Sequence, residues 1–369
     1  MLLPFQLIPR AEQSRRIQLL VPIVGTAPTL LAGLLVFMAL GVDAGSAFHA
    51  YFIAPLSSLY SISELLLKAL PLCLVGLGLG IAYRANVWNI GAEGQLIMGG
   101  VAATWVMARF GVGDGALTDG LLPLMILVGT LAGAAWGGWA AWMKTRFNAN
   151  EILTTLMLVY VAQSILQYAL VGTVDTPAPL QDPEGTGFPQ SQLFPPFALM
   201  LQFHQFFDAF VGTRLHVGVF LMLIAVPLVW LFTAKSFAGF QMKVAGLAPL
   251  AANYAGFKTT RLIWLALLVS GGLAGLAGAL EVTGPVGQLQ DSWRPGYGFT
   301  AIIVAFLGRL HPVGILLGAL LMALLTLGGE ALQMSMSLPQ SVSSLFQGLL
   351  LLFLLAADVW VNYRVVWRR

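Results

Sequence analysis

Ten predominantly apolar runs follow one another along the chain: Leu19–Leu40, Leu65–Tyr83, Leu96–Phe110, Leu121–Met143, Ile152–Val171, Leu215–Thr233, Leu262–Val282, Phe299–Leu310, Val313–Leu332 and Ser341–Val361. A helix that crosses the hydrocarbon core of a bilayer needs roughly 20 such residues. Only 9% of the 369 residues are charged and mean hydropathy is +0.86; soluble domains carry about 25% charged residues. These runs predict an all-α polytopic membrane protein of about ten transmembrane helices, residues 1–369 forming a single transmembrane domain. Leu96–Phe110 and Phe299–Leu310 are short for full spans and suit parts of broken or steeply packed helices.

Lys and Arg near helix ends set orientation, because cytoplasmic loops carry an excess of them. With the N-terminus in the cytoplasm and ten alternating spans, the cytoplasmic side receives 14 of the 18 basic residues. Only Lys68, Arg109, Arg214 and Arg294 fall on or toward the other side. Both termini are therefore expected inside. The apolar run Leu19–Leu40, behind Arg10, Arg15 and Arg16, exceeds the roughly 7–15-residue core of a signal peptide, so it reads as an uncleaved first helix. The lone cysteine, Cys73, excludes an internal disulfide and suits a buried packing thiol.

One segment breaks the apolar pattern. Arg84–Gln95 holds Arg84, Asn86, Asn89, Glu93 and Gln95 beside Gly91 and Gly94. Unpaired polar groups cost several kcal/mol in lipid, so this cluster belongs inside protein or beside a water-filled path. Asn86, Asn89, Glu93 and Gln95 are accordingly candidates either to line a translocation path or to knot a broken helix together. Arg84 is the expected charge partner of Glu93. A second Gly/Pro-rich interruption, Gly284–Gly298, occupies a comparable place in the other half, as in transporters built from repeats.

Two connections are long. Residues 172–214 form an expected external loop with six prolines (Pro177, Pro179, Pro183, Pro189, Pro195 and Pro196), whose Phe and Leu content suggests that part of it packs on the membrane surface. Residues 234–260 form an expected cytoplasmic region. There Pro249 suits a first helical turn and Gly256 a stop just past the end, bounding a helix of about two turns. Such a helix is marginal alone and is expected to dock against something. Small residues recur at four-residue spacing, at Gly129, Gly133 and Gly137 and at Gly271, Gly275 and Ala279, which lets helix backbones approach closely, within this chain or against another subunit.

Catalytic chemistry is not written in the chain. There is no Gly-x-x-x-x-Gly-Lys-Ser/Thr loop for ATP, the four histidines lack metal-ligand spacing, and paired carboxylates at helical spacing within a span are missing. No catalytic residue, metal site or cofactor is expected, and no nucleic-acid partner. Val269-Ser270-Gly271-Gly272 lies in an apolar run and reads as helix packing. Glu151 opens a run, where the helix dipole favours a carboxylate, and Glu281, Glu330 and Asp358 read as interfacial.

Asn89-Ile90-Gly91-Ala92-Glu93-Gly94-Gln95 resembles the hallmark of permease subunits of ABC importers in the branched-chain amino acid, ribose and nucleoside group. Its Ala-Glu-Gly-Gln wording is most similar to nucleoside-type permeases served by a basic membrane lipoprotein. Asn150–Leu158, Ala245–Phe257, Ser270–Gly284 and Ala301–Leu320 are similar to further segments of that group, so the likeness covers most of residues 65–330. Trp88 precedes Asn89 where Phe is common.

The resemblance implies a type II importer-like subunit of the bacterial inner membrane. Its partners would be a second permease subunit, a cytoplasmic ATP-binding subunit that hydrolyses ATP, and an external substrate-binding lipoprotein, the whole embedded in the lipid bilayer. The substrate would be a nucleoside or similar small polar solute. Simple-sugar and branched-chain amino acid permeases share the frame, and an ion-coupled carrier using Glu93 or Glu151 as a proton site is the rival mechanism. Gly246, Ala251, Ala252, Asn253, Tyr254 and Gly256 would form the coupling element that meets the ATPase.

Overall fold

The computed structural model describes residues 5–9, 15–39, 41–112, 117–172, 176, 178–183, 188–293, 296–339 and 341–367. The helices are α1 (Arg15–Ala39), α2 (Ala44–Phe48), α3 (Leu59–Arg84), α4 (Ala92–Phe110), α5 (Leu121–Phe147), α6 (Glu151–Leu170), α7 (Gly218–Lys235), α8 (Phe237–Leu247), α9 (Pro249–Tyr254), α10 (Thr259–Glu281), α11 (Tyr297–Leu307), α12 (Pro312–Met336) and α13 (Ser341–Asn362). Each of the ten apolar runs coincides with one of these helices. Among the described residues, six are long and apolar enough to cross a membrane: α3, α5, α6, α7, α10 with its extension to Val286, and α12. One feature had no signal in the apolar pattern. β1 (Phe5–Pro9) and β2 (Tyr363–Trp367) pair antiparallel as a two-stranded ribbon, so the described chain is helical apart from it.

The chain divides into two compact units, one of Met1–Ile62 with Leu324–Arg369 and the other of Ser63–Ala323. In the smaller, α1 packs against α13. Tyr51 stacks on Phe346 at 4.7 Å between ring centroids, with Phe37 at 5.4 Å from Phe346. Gly328 lies against the Tyr51 carbonyl. Buried aromatic pairs of this geometry are worth about 0.5–1.5 kcal/mol beyond their area.

In the larger unit α4, α5 and α10 pack extensively on one another. Glycine is the reason they approach so closely. A Cβ at Gly99 or Gly133 would lie inside the Gly275 backbone, and one at Gly271 inside Gly133. Gly129, Gly133, Gly271 and Gly275 therefore face one another within the chain, which resolves the small-residue stripes as internal packing. Backbone-to-backbone contact of this kind drives helix association in lipid, where the hydrophobic effect between helices is absent. α3 meets α10 where a Cβ at Gly78 would crowd the Ser270 backbone, and it is largely buried from Ser63 to Tyr83, with Cys73 at 0% exposure.

The loop before α7 is stitched to the segment between α10 and α11. Backbone amides of Ser191, Phe194 and Met200 donate to the carbonyls of Leu289, Gly287 and Thr283, and the Asp291 amide donates to Pro189. Arg214, which closes the loop, makes a bidentate pair with the buried Glu64 (3.1 and 2.7 Å). Residues 188–201 are thus a packed layer of the protein, held by the backbone pairing that irregular buried chain requires.

Candidate functional site

The break between α3 and α4 is shorter than the sequence suggests. Asn86 ends α3 in a left-handed conformation (φ 55°), a position for which Asn is well suited after Gly. Its side chain is exposed and accepts from Trp88 Nε1 at 3.0 Å. The apolar run Leu96–Phe110 extends back to Ala92, so Glu93 and Gln95 belong to the first turn of α4 rather than to the break.

Asn89 is completely buried and fully used. Its Nδ2 donates to Gln95 Oε1 (2.9 Å) and Ser270 Oγ (3.0 Å), and its Oδ1 accepts from Gln95 Nε2 (3.1 Å) and the Gly91 amide (3.0 Å). An asparagine side chain has two donors and two acceptor sites, and all four are taken. The Asn89 carbonyl accepts from the Tyr83 hydroxyl at 3.1 Å, and Thr155 Oγ1 of α6 accepts from the Ile90 amide at 3.1 Å. This network ties the break to α3, α6 and α10 together. Ser270 was not legible as part of it: the residue sits in a glycine-rich apolar run and reads as packing until its partner is seen.

Glu93, 1% exposed, turns to the start of α11. Its two carboxylate oxygens accept the amides of Gly296 (2.9 Å) and Gly298 (2.6 Å). A carboxylate is well placed there, because the first amides of a helix lack intrahelical partners and carry partial positive charge. Gly298 makes the approach possible, since a side chain at that position would overlap the backbone of Glu93 itself. The Arg294–Pro295 part of the second interruption lies outside the described residues.

The expected Arg84–Glu93 pair is not made. The Arg84 guanidinium grips the Leu310 carbonyl through Nε (3.1 Å) and Nη2 (2.7 Å). Leu310 and Arg309 both have positive φ (57° and 51°) in the turn between α11 and α12, so the turn offers a carbonyl aimed sideways. With α4 beginning at Ala92, Glu93 stands nearer the first amides of α11 than the end of α3. Glu281, the last residue of α10, is buried, and the Tyr297 hydroxyl bonds its carboxylate. Glu151 does open α6, beside the Asn150 cap, and pairs with Lys144 at 2.5 Å.

The region 234–260 holds two helices where the sequence suggested one. Ser236 caps α8 through its hydroxyl, which accepts from the Gly239 amide at 3.0 Å. After it, α9 begins at Pro249, and Gly256 (φ 79°) follows its end as expected. The candidate coupling residues divide into two groups. Ala252 is fully buried, and Gly246 abuts the Arg84 carbonyl so closely that a Cβ would overlap it. Both face the protein, not solvent. Ala251, Asn253, Tyr254 and Gly256 are exposed. Tyr254 is 97% exposed, with Leu250 at 85% and Leu247 at 77% beside it. The two leucines were missed, although apolar residues in a polar connector were there to be read.

Arg84 joins these parts. Its side chain holds the α11–α12 turn, and its own carbonyl is the contact of Gly246 on α8. The end of α3 therefore links the 234–260 region to α11, whose other end is capped by Glu93.

Residues 61–355 match the family described as branched-chain amino acid transport system / permease component. The chain is 34% identical over 351 residues to the glucose ABC transporter permease protein TsgB13 of Haloferax volcanii, covering 93% of this chain and 89% of that one. It is 31% identical over 337 residues to the guanosine ABC transporter permease protein NupP of Bacillus subtilis (91% and 92% covered). With the nucleoside ABC transporter permease protein NupB of Lactococcus lactis it shares 27% over 316 residues, 85% of each chain. A multi-pass helical protein with this match over most of its length belongs to the branched-chain amino acid transport system permease family of ABC transporters.

Proposed function

We propose that this chain is the membrane-spanning permease subunit of an importer for nucleosides or similar small polar solutes, driven by a separate ATP-binding subunit. The family match over residues 61–355 carries the permease assignment, and the guanosine and nucleoside relatives favour the substrate. The glucose relative favours a simple sugar as the second reading. A sugar ring with its hydroxyls is common to both, so recognition through hydrogen bonds rather than a buried countercharge suits either. Uptake of labelled guanosine and of labelled glucose by the assembled transporter separates them. Guanosine uptake that unlabelled nucleosides compete away and glucose does not supports the first reading; the opposite competition replaces it with the second.

In this reading residues 1–369 form one transmembrane permease domain of ten helices in the bacterial inner membrane, with both termini cytoplasmic, residues 172–214 external and residues 234–260 cytoplasmic. A second permease subunit and an external substrate-binding lipoprotein complete the assembly. The exposed face of α9, with Ala251, Asn253 and Tyr254, meets the ATPase; Ala252, Gly246 and Gly256 set its shape. Motion passes from α9 and α8 to the end of α3 and, through Arg84, to the α11–α12 turn. Asn86, Asn89, Glu93 and Gln95 hold the break that lets α4 and α11 move as units. An ion-coupled mechanism predicts uptake abolished by an ionophore and indifferent to loss of the ATPase. The importer reading predicts the reverse.

A further inference from the structure

The loop before α7 has two parts of different character. Residues 188–201 are bonded to the segment after α10, whereas Phe203–Val211 is a pair of short turns that hold rings outward. Phe206 and Phe207 are 58% and 57% exposed and Val211 is 70% exposed. Phe203 packs on Phe210 and on Phe220, both at 5.5 Å between centroids, and Phe207 reaches Phe210 at 6.4 Å. Phe220 is in the first turn of α7 and is itself 51% exposed. Along α7 the same side continues outward with Ile224, Leu228 and Leu231, exposed at 53%, 58% and 48%. On a helix of this hydropathy, with most of its surface uncovered, that apolar face suits lipid.

We infer that Phe203–Val211 is a membrane-interface anchor, with Phe206, Phe207 and Val211 inserted at headgroup level of the bilayer leaflet next to the start of α7. The patch is continuous with that face of α7 through the Phe203–Phe220 contact at the helix's first turn. Apolar side chains such as Phe bury at the boundary between headgroups and acyl chains. Between Gln202 and Thr213 the only acidic or basic residue, histidine aside, is Asp208. Insertion therefore draws on apolar area rather than on attraction to anionic lipid. The inference rests on the membrane placement proposed above.

Cys73 is the only cysteine and is buried, so a Cys73→Ser background permits single spin labels at F206C, F207C, V211C and, for reference, F220C. The assembled transporter is placed in nanodiscs of neutral or anionic phospholipid, and each label's access to oxygen and to a water-soluble nickel chelate is measured. All four labels are expected to favour oxygen, those at 206, 207 and 211 at shallower depth than 220, with the same result in both lipids. Nickel access at 206, 207 and 211 with a lipid-buried 220 overturns the anchor and leaves the permease reading intact. Exclusion of both reagents at those three positions shows a protein partner instead and also overturns it. An aqueous label at 220 overturns the placement of α7 itself.

Discussion

The Asn89–Gln95 segment and the α8–α9 region invert one another. In the first, polar side chains lie where the chain is otherwise apolar, and every one is buried and paired, Asn89 to the limit of its capacity. In the second, apolar side chains lie where a connector is expected to be polar, and Leu247, Leu250 and Tyr254 stand almost fully exposed. Asn89, buried with both donors and both acceptor sites taken, has none to spare for a passing solute in this conformation. An exposed apolar cluster across the end of α8 and the six-residue α9 is costly alone, and a partner covering it would stabilise it. In the proposed reading the first region is internal structure and the second meets another subunit.

The comparison can be broken at four points, taken in order of expected loss of stability. Gly133→Leu removes the scaffold under both regions. A leucine there must displace the Gly271 and Gly275 backbone rather than a flexible side chain, and no folded protein is expected by size-exclusion chromatography after detergent extraction. Asn89→Leu comes next. It strands the Gln95 amide, the Ser270 hydroxyl and the Gly91 amide, at about 1–3 kcal/mol for each group left unsatisfied, and a large fall in melting temperature follows. If stability is unchanged while substrate affinity collapses, Asn89 is a path residue and the assignment to internal structure is wrong. Arg84→Met frees the Leu310 carbonyl and costs about 1–2 kcal/mol. Arg84→Lys recovers little of it, because a lysine lacks the fork that bonds this carbonyl twice; uptake lost with ATPase association retained marks Arg84 as a link in transmission.

How much of this was legible in the sequence follows from what each signal depends on. Apolar runs of about 20 residues depend only on local composition, so all ten fell on helices. Both ends of α9 were legible for the same reason, since Pro249 and Gly256 act through their own backbone. Partners across the fold were not. Arg84 and Glu93, nine residues apart, read as a pair, but their partners are backbone groups at Leu310, Gly296 and Gly298, and a backbone carbonyl or amide leaves no mark in a sequence. Ala252 illustrates the same limit. Its small size suggested close docking, yet the side chain faces inward, so a charged substitution there disturbs the fold before it reports on docking.

The fourth point has the smallest effect on stability and bears most directly on the account. Leu250→Asp with Tyr254→Asp changes two side chains that are 85% and 97% exposed, and exposed substitutions of this kind stay within about 0.5 kcal/mol each. The measurement is the amount of ATP-binding subunit that co-purifies with the double variant, alongside its melting temperature and its uptake of guanosine. An unchanged melting temperature is expected, with ATPase association and uptake both lost. Association and uptake at the unsubstituted level would contradict this and remove α9 from the coupling path.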